Sequence, residues 1–320
     1  MSRDFAPWQQ RAFDHALATM EAGRLSHGLL ICGPAGLGKR AVAECLAHHL
    51  LCGGEPDPAS RNAQLIAAGT HPDLSLVSFI FNKEGTKLRT EIVIEQIRAL
   101  SQKLSMTPQY GVAQVAIITP ADAVNRAACN ALLKTLEEPA PGRFLWLVSD
   151  QPSRLPATIR SRCQRLEFRL PPSDESLAWL GRQGHSTAAS AEALAAARGH
   201  PGLADEWLRE GGMSLRKSVA LDLQRLGRGE LGVVETAQKW VADEHAELRL
   251  RHAADLALAQ AGTDGLTDPA RLHKLATWFD AANRTRDLLR TTVRSDLVMA
   301  DLLLAWRDGT RARVGNGDVG

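Results

Sequence analysis

The chain has 320 residues, enough for two or three domains at ~100–200 residues each. Hydrophobic residues make up 44% and charged residues 23%, an ordinary globular balance. The longest apolar runs, such as 28–32 and 115–118, fall far short of the ~20 residues of a membrane-spanning helix, so no membrane partner is expected. With 38 basic and 36 acidic side chains the net charge is only +2, so no global basic field demands nucleic acid. Seven Trp, seven Phe and one Tyr offer few platforms for stacking bases.

The first twenty residues carry Asp4 and Trp8 and no apolar leader core, so a cytoplasmic location is expected. Cys32, Cys45, Cys52, Cys129 and Cys163 form no C-x-x-C pair and read as reduced, mostly buried thiols.

In chain order, short apolar runs alternate with helical patterns through the first half, as βα units around a parallel sheet require. Residues 28–32 read as a buried strand, followed by a Gly-rich loop and an amphipathic helix over 39–51. A second strand is expected at 73–79. Ile94, Ile97, Leu100 and Leu104 then recur at helical spacing within 91–104. Residues 112–118 form a nearly continuous apolar strand, expected to be central. A helix over 125–136 is closed by Pro139, which cannot continue it, and strands at 144–149 and 165–170 follow.

Beyond Leu170 no strand is expected. Pro171-Pro172-Ser173-Asp174 turns the chain into a helix, and three short helices fit within 174–210, broken near Gly184 and at 199–202. Gly211-Gly212 marks a boundary. Four or five longer helices fill 214–308, interrupted at 227–229 and 262–269, and the polar tail from Gly309 frays. The expected plan is an α/β domain with a parallel sheet over 1–170, a small helical lid over 171–211 and an all-α domain over 212–320.

The sharpest motif is Gly33-Pro34-Ala35-Gly36-Leu37-Gly38-Lys39, which fits G-x-x-x-x-G-K between a strand and a helix. Gly33, Gly36 and Gly38 let backbone N–H groups converge on phosphate oxygens, and Lys39 adds positive charge. The next position needs a hydroxyl for Mg²⁺ but carries Arg40, whose guanidinium cannot ligate a cation. The acidic pair expected at the end of the strand at 115–118 is also missing, because Thr119-Pro120 follow. Asp122 comes late and reads as a turn or helix-capping residue rather than a metal ligand.

Two further stretches, Asn130-Ala131-Leu132-Leu133-Lys134-Thr135-Leu136-Glu137-Glu138-Pro139 and Ile159-Arg160-Ser161-Arg162-Cys163, resemble the clamp-loader branch of the AAA+ superfamily. Pro7-Trp8, residues 24–28 and Gly69-Thr70-His71-Pro72-Asp73 narrow the match, which covers 7–163. The resemblance implies an AAA+ P-loop domain, a lid and a C-terminal collar that joins subunits into a ring. It implies that Arg162, in its motif with Ser161 and Cys163, reaches into the ATP site of an adjacent subunit. In-trans arginines of this kind are worth ~10³–10⁵ in rate.

The implied partners are clamp-loader motor subunits, a delta subunit, the sliding clamp indirectly, and primer-template DNA through the complex. The implied function is a non-hydrolysing subunit accessory to a DNA-directed DNA polymerase, helping load the clamp during replication. No cofactor is then required, although the degenerate phosphate loop leaves room for weak ATP or ADP binding. Gly202 stands where active relatives place a lid arginine. An active ATPase motor subunit and a stand-alone P-loop phosphotransferase remain as alternatives.

Relatives often hold zinc with four cysteines after the P-loop helix, but only Cys52 stands in that segment, so zinc is not expected. His48, His49 and His71 read as surface or structural residues. His245 and His252, seven apart with no third ligand, read as solvated. Ser161 has no nearby histidine base for nucleophilic catalysis. Arg284, Arg286, Arg290 and Arg294, interleaved with Asp280, Asp287 and Asp296, read as a salt-bridged helix face rather than a DNA stripe.

Overall fold

In the computed structural model, residues 5–55, 57–82, 85–86, 88–111, 113–264, 268–289 and 291–311 are described. They form two compact units, Met1–Ala204 and Asp205–Gly320.

The first unit opens with α1 (Pro7–Glu21), whose proline stands at the first helical turn, where its missing N–H costs nothing. β1 (Gly28–Cys32) leads into α2 (Lys39–Cys52), and α3 (Arg61–Ala67) follows with Ser60 as its N-cap. Then come β2 (Leu74–Val77), α4 (Ile94–Ser105), β3 (Gln114–Ile118) and α5 (Arg126–Glu137). Asn125 caps α5 by accepting from the Ala128 N–H, a contact worth about 1 kcal/mol. β4 (Arg143–Ser149), the single turn α6 (Ala157–Arg160) and β5 (Gln164–Glu167) complete the sheet. Neither α1 nor α3 is among the helices read from the sequence, and Val112 lies outside the described residues.

All strand pairs are parallel, in the order β2-β3-β4-β1-β5. β4, not β3, is therefore the middle strand; β3 is interior, between β2 and β4. Both β1 and β3 are buried along their full length, because helices cover both faces of the sheet. Alternation divides the core accordingly. Leu30, Ala116, Ile118, Leu145 and Leu147 face α4 and α5, whereas Leu29, Ile31, Val115, Ile117 and Trp146 face α1 and α2.

Inserting β4 between β1 and β3 brings three chain segments to the same C-terminal edge of the sheet. These are the loop after β1, the Thr119-Pro120 turn after β3, and Ser149-Asp150 at the end of β4. In open parallel sheets this edge is where ligands bind.

The helices α7 (Ser173–Arg182), α8 (Thr187–Ala196) and α9 (Pro201–Arg209) follow the sheet. In the second unit, α10 (Gly212–Arg228), α11 (Val233–Val241), α12 (Ala246–Asp264), α13 (Pro269–Leu288) and α14 (Ser295–Arg311) build a helical core. Buried tryptophans pin it: the Trp278 indole donates to the Leu302 carbonyl and the Trp306 indole to the Leu223 carbonyl, each at 2.9 Å. Asp222, itself buried, accepts from the Trp240 indole at 2.9 Å and from the Lys239 ammonium at 3.0 Å.

Candidate functional site: a phosphate loop and a motif arginine

Gly33, Gly36 and Gly38 have φ values of 139°, 76° and 77°, the left-handed backbone that favours glycine, so the loop keeps the form its motif prescribes. Gly38 is the N-cap of α2, and a β-carbon there would collide with the Gln9 side chain. Gln9 donates to the Leu37 carbonyl at 3.1 Å, as does the Trp8 indole, so α1 buttresses the loop from behind.

Lys39 is buried, and its ammonium already has partners within the chain. Its Nζ lies 2.6 Å from Asp150 Oδ1 and 2.5 Å from the Pro34 carbonyl. Asp150 in turn is held by its neighbours: Asp122 Oδ1 accepts from the Asp150 N–H at 2.9 Å and from Ser149 Oγ at 2.8 Å. Asp122 is therefore a structural tie across the strand ends rather than a helix cap. Arg40 turns along α2 to Glu44, with Nε 2.7 Å from Oε1. Thr119 is buried and its N–H continues the sheet to the Val77 carbonyl.

The first turn of α9 lies against the loop. A β-carbon on Gly202 would overlap the Gly36 carbonyl oxygen, and His200 Nδ1 is 3.3 Å from the Ala35 carbonyl. Any side chain at position 202, an arginine included, would force α9 and the loop to shift apart. With Thr119 and Pro120 in place of carboxylates directly after β3, and Arg40 in place of the hydroxyl, the loop lacks the metal ligands that its motif normally brings. Among the described residues no group of three or more His, Cys, Asp or Glu side chains is placed to hold a metal ion. Cys52 is half-buried, and burial raises its thiol pKa.

Arg162 sits on the turn between α6 and β5. Ile159 and Cys163, on either side, are buried in the same core as Leu136, while Ser161 and Arg162 face solvent. Burial pushes the Cys163 thiol up to about 11, so it acts as an apolar anchor. Gly28 permits this packing, because a β-carbon there would press on Leu136 at 2.9 Å and the Arg162 carbonyl at 3.2 Å. The Arg162 guanidinium donates from Nη1 to the Thr158 carbonyl at 2.8 Å, and its Nη2 lies 2.8 Å from Glu137 Oε1.

Two partners were missed by sequence reasoning. Asp150 had one available signal: it directly follows a strand at the ligand-binding edge of a parallel sheet. Glu137 lies inside the 130–139 stretch that carries the family resemblance, where no single residue is given a role.

Other expectations are revised. His252 is not solvated but fully buried, its ring edge-on to Trp207 with centroids 4.5 Å apart; His245 precedes α12 and is exposed. The arginine series does not share one helix: α13 ends at Leu288, Arg294 pairs with Asp296 at 2.7 Å, and Arg290 lies outside the described residues. No described helix is long and apolar enough to cross a membrane.

A parallel α/β domain with a phosphate loop after its first strand and helices beyond its last defines an α/β protein of the P-loop class. The family described as DNA polymerase III, delta subunit, matches residues 8–172. The DNA polymerase III subunit delta' of Pseudomonas aeruginosa is 38% identical over 248 residues, spanning 74% of this chain and 71% of the relative. That of Escherichia coli is 36% identical over 204 residues, spanning 62% and 59%. The DNA polymerase III subunit tau/gamma of Haemophilus influenzae is 31% identical over 183 residues, spanning 53% of this chain and 25% of the relative. The chain belongs to the delta' family of DNA polymerase III, a family of DNA replication.

Proposed function

We propose that this delta' chain is a non-hydrolysing member of the clamp loader that completes a neighbour's ATP site with Arg162. The observation that carries the reading is the arginine's setting: a turn anchored by Ile159 and Cys163 that holds a partly exposed guanidinium beside the sheet. At the neighbour's site, water bonds to the γ-phosphorus as the bond to the bridging oxygen breaks, ADP departs and a proton passes to solvent. A guanidinium there stabilises the charge that develops on the phosphoryl oxygens.

The chain's own loop plays a different part. Lys39 and Asp150 neutralise each other, and α9 takes the space of a lid arginine, so the loop serves as internal structure and no nucleotide is required. Residues 171–211 act as the lid and 212–320 as a collar that packs with counterparts in motor and delta subunits. The sliding clamp and primer-template DNA are engaged through the assembled complex.

The test is a reconstituted complex assayed for clamp- and DNA-stimulated ATP hydrolysis and for clamp loading. Arg162→Ala should assemble normally and lower both activities. Arg162→Lys should rescue poorly, because an ammonium lacks the planar fork that meets two phosphate oxygens. Unchanged activities in an intact complex would overturn the reading. The retained glycine geometry favours one rival, an active ATPase; turnover of ~1 s⁻¹ by the isolated chain would establish it.

A further inference from the structure

We infer that Glu137 is a positioning residue for Arg162; the inference rests on the trans role proposed for that arginine. Glu137 is the last residue of α5, and Glu138 follows it. A carboxylate at a helix C-terminus faces the negative end of the helix dipole, so this position is electrostatically unfavourable unless a cation answers it. Arg162 is that cation, 2.8 Å away.

The pair contributes little to folding. The two side chains are 37% and 48% exposed, and ion pairs so open to water are screened and offset by side-chain entropy. Its consequence is geometric instead. The Thr158 carbonyl holds Nη1 and Glu137 holds Nη2, so a long side chain with many rotamers is restrained at two points. A guanidinium has five N–H groups, and these contacts leave the others for a second acceptor. The restraint is laid down by different parts of the fold: Thr158 by the α6 turn, Glu137 by the end of α5. Because Ile159 and Cys163 are fixed in the core that also contains Leu136, the arginine and its carboxylate share one rigid base.

Ordering the guanidinium before the neighbour's phosphate arrives removes an entropy cost from the transition state, so the effect belongs in kcat rather than in the KM for ATP. The experiment is a double-mutant cycle in the reconstituted complex, with ATP hydrolysis measured across ATP concentrations for Glu137→Ala, Glu137→Gln, Arg162→Ala and Arg162→Ala/Glu137→Ala. Thermal unfolding of each isolated chain accompanies it. Glu137→Ala should lower kcat about two- to fivefold, the range expected of an exposed ion pair, with KM and melting temperature unchanged. Glu137→Gln should recover much of the loss, since its amide oxygen still accepts from the guanidinium. In the Arg162→Ala background, Glu137→Ala should cost nothing more.

Unchanged or raised kcat in Glu137→Ala, with Arg162→Ala still impaired, overturns the positioning role and leaves the arginine's role standing. An equal loss in both backgrounds assigns Glu137 a role independent of Arg162 and also overturns the inference. If Arg162→Ala itself has no effect, the trans-arginine reading has failed, and the inference with it.

Discussion

The carbonyl oxygen of Gly36 occupies the space that a β-carbon on Gly202 would need. Two glycines more than a hundred and sixty residues apart thus set how closely α9 approaches the phosphate loop. The contact is steric, because Gly202 is not among the residues with positive φ. Gly202→Ala should therefore destabilise the chain by about 1–3 kcal/mol, the usual cost of forcing atoms into a filled contact. Gly202→Arg should cost more. Urea unfolding measures both, and an alanine variant as stable as the parent would show that α9 gives way freely.

Lys39 is buried and paired within the chain, and on the proposed reading it is a structural cation. Lys39→Ala leaves the Pro34 carbonyl and Asp150 without their shared partner. Asp150 is 46% exposed and can recover water, so the expected loss of stability is moderate, about 1–3 kcal/mol. Lys39→Met keeps the buried stem and should lose less. Equal stability of Lys39→Ala and the parent in urea would refute a structural role.

His252 gives the helical unit a pH dependence. Burial, assisted by the positive charges of Arg216 and Arg251, pushes its pKa from 6.5 down to about 4. As pH falls through 6.5 the unfolded chain takes up a proton that the folded chain refuses, so stability falls between these values and levels off below about 4. The loss reaches at most about 3 kcal/mol. Unfolding free energies across this range should show the slope in the parent and a flatter one in His252→Leu. Identical slopes would mean that other groups set the acid response.

Cys163 should resist alkylation. Its thiol is buried, which pushes its pKa up to about 11, so little thiolate forms at pH 8. Mass spectrometry after maleimide treatment should find Cys163 unmodified in the native chain and modified in urea. Rapid native labelling would show that the turn carrying Arg162 opens readily.

The locally encoded parts of the site were legible in the sequence. Gly33, Gly36 and Gly38 announce positive φ because little else adopts it cheaply, and Arg40, Thr119 and Pro120 mark missing metal ligands at known offsets from that loop. Asn125 before a 3.6-residue apolar pattern and Pro139 after it bracket α5 to within a residue. Less was legible where a helix lacked such a pattern. α1 lies over 7–21 with Trp8 and Ala16 buried, two positions that mark no helical stripe in the sequence.

By itself, then, the sequence determined which segments are strands and helices through most of the first unit, where the phosphate loop lies, and which arginine stands in the family motif. These depend on residues within a few positions of one another, through backbone dihedrals, caps and side-chain periodicity. Only the tertiary structure decided that Lys39 pairs with Asp150, that α9 rests on Gly36, that Glu137 holds Arg162 and that His252 is buried against Trp207. Each of these joins residues distant in the chain, and each depends on strand order or helix packing. Local propensity carries no information about either: β4 lies between β1 and β3 because of how the whole hydrophobic surface is buried, not because of anything in its own seven residues.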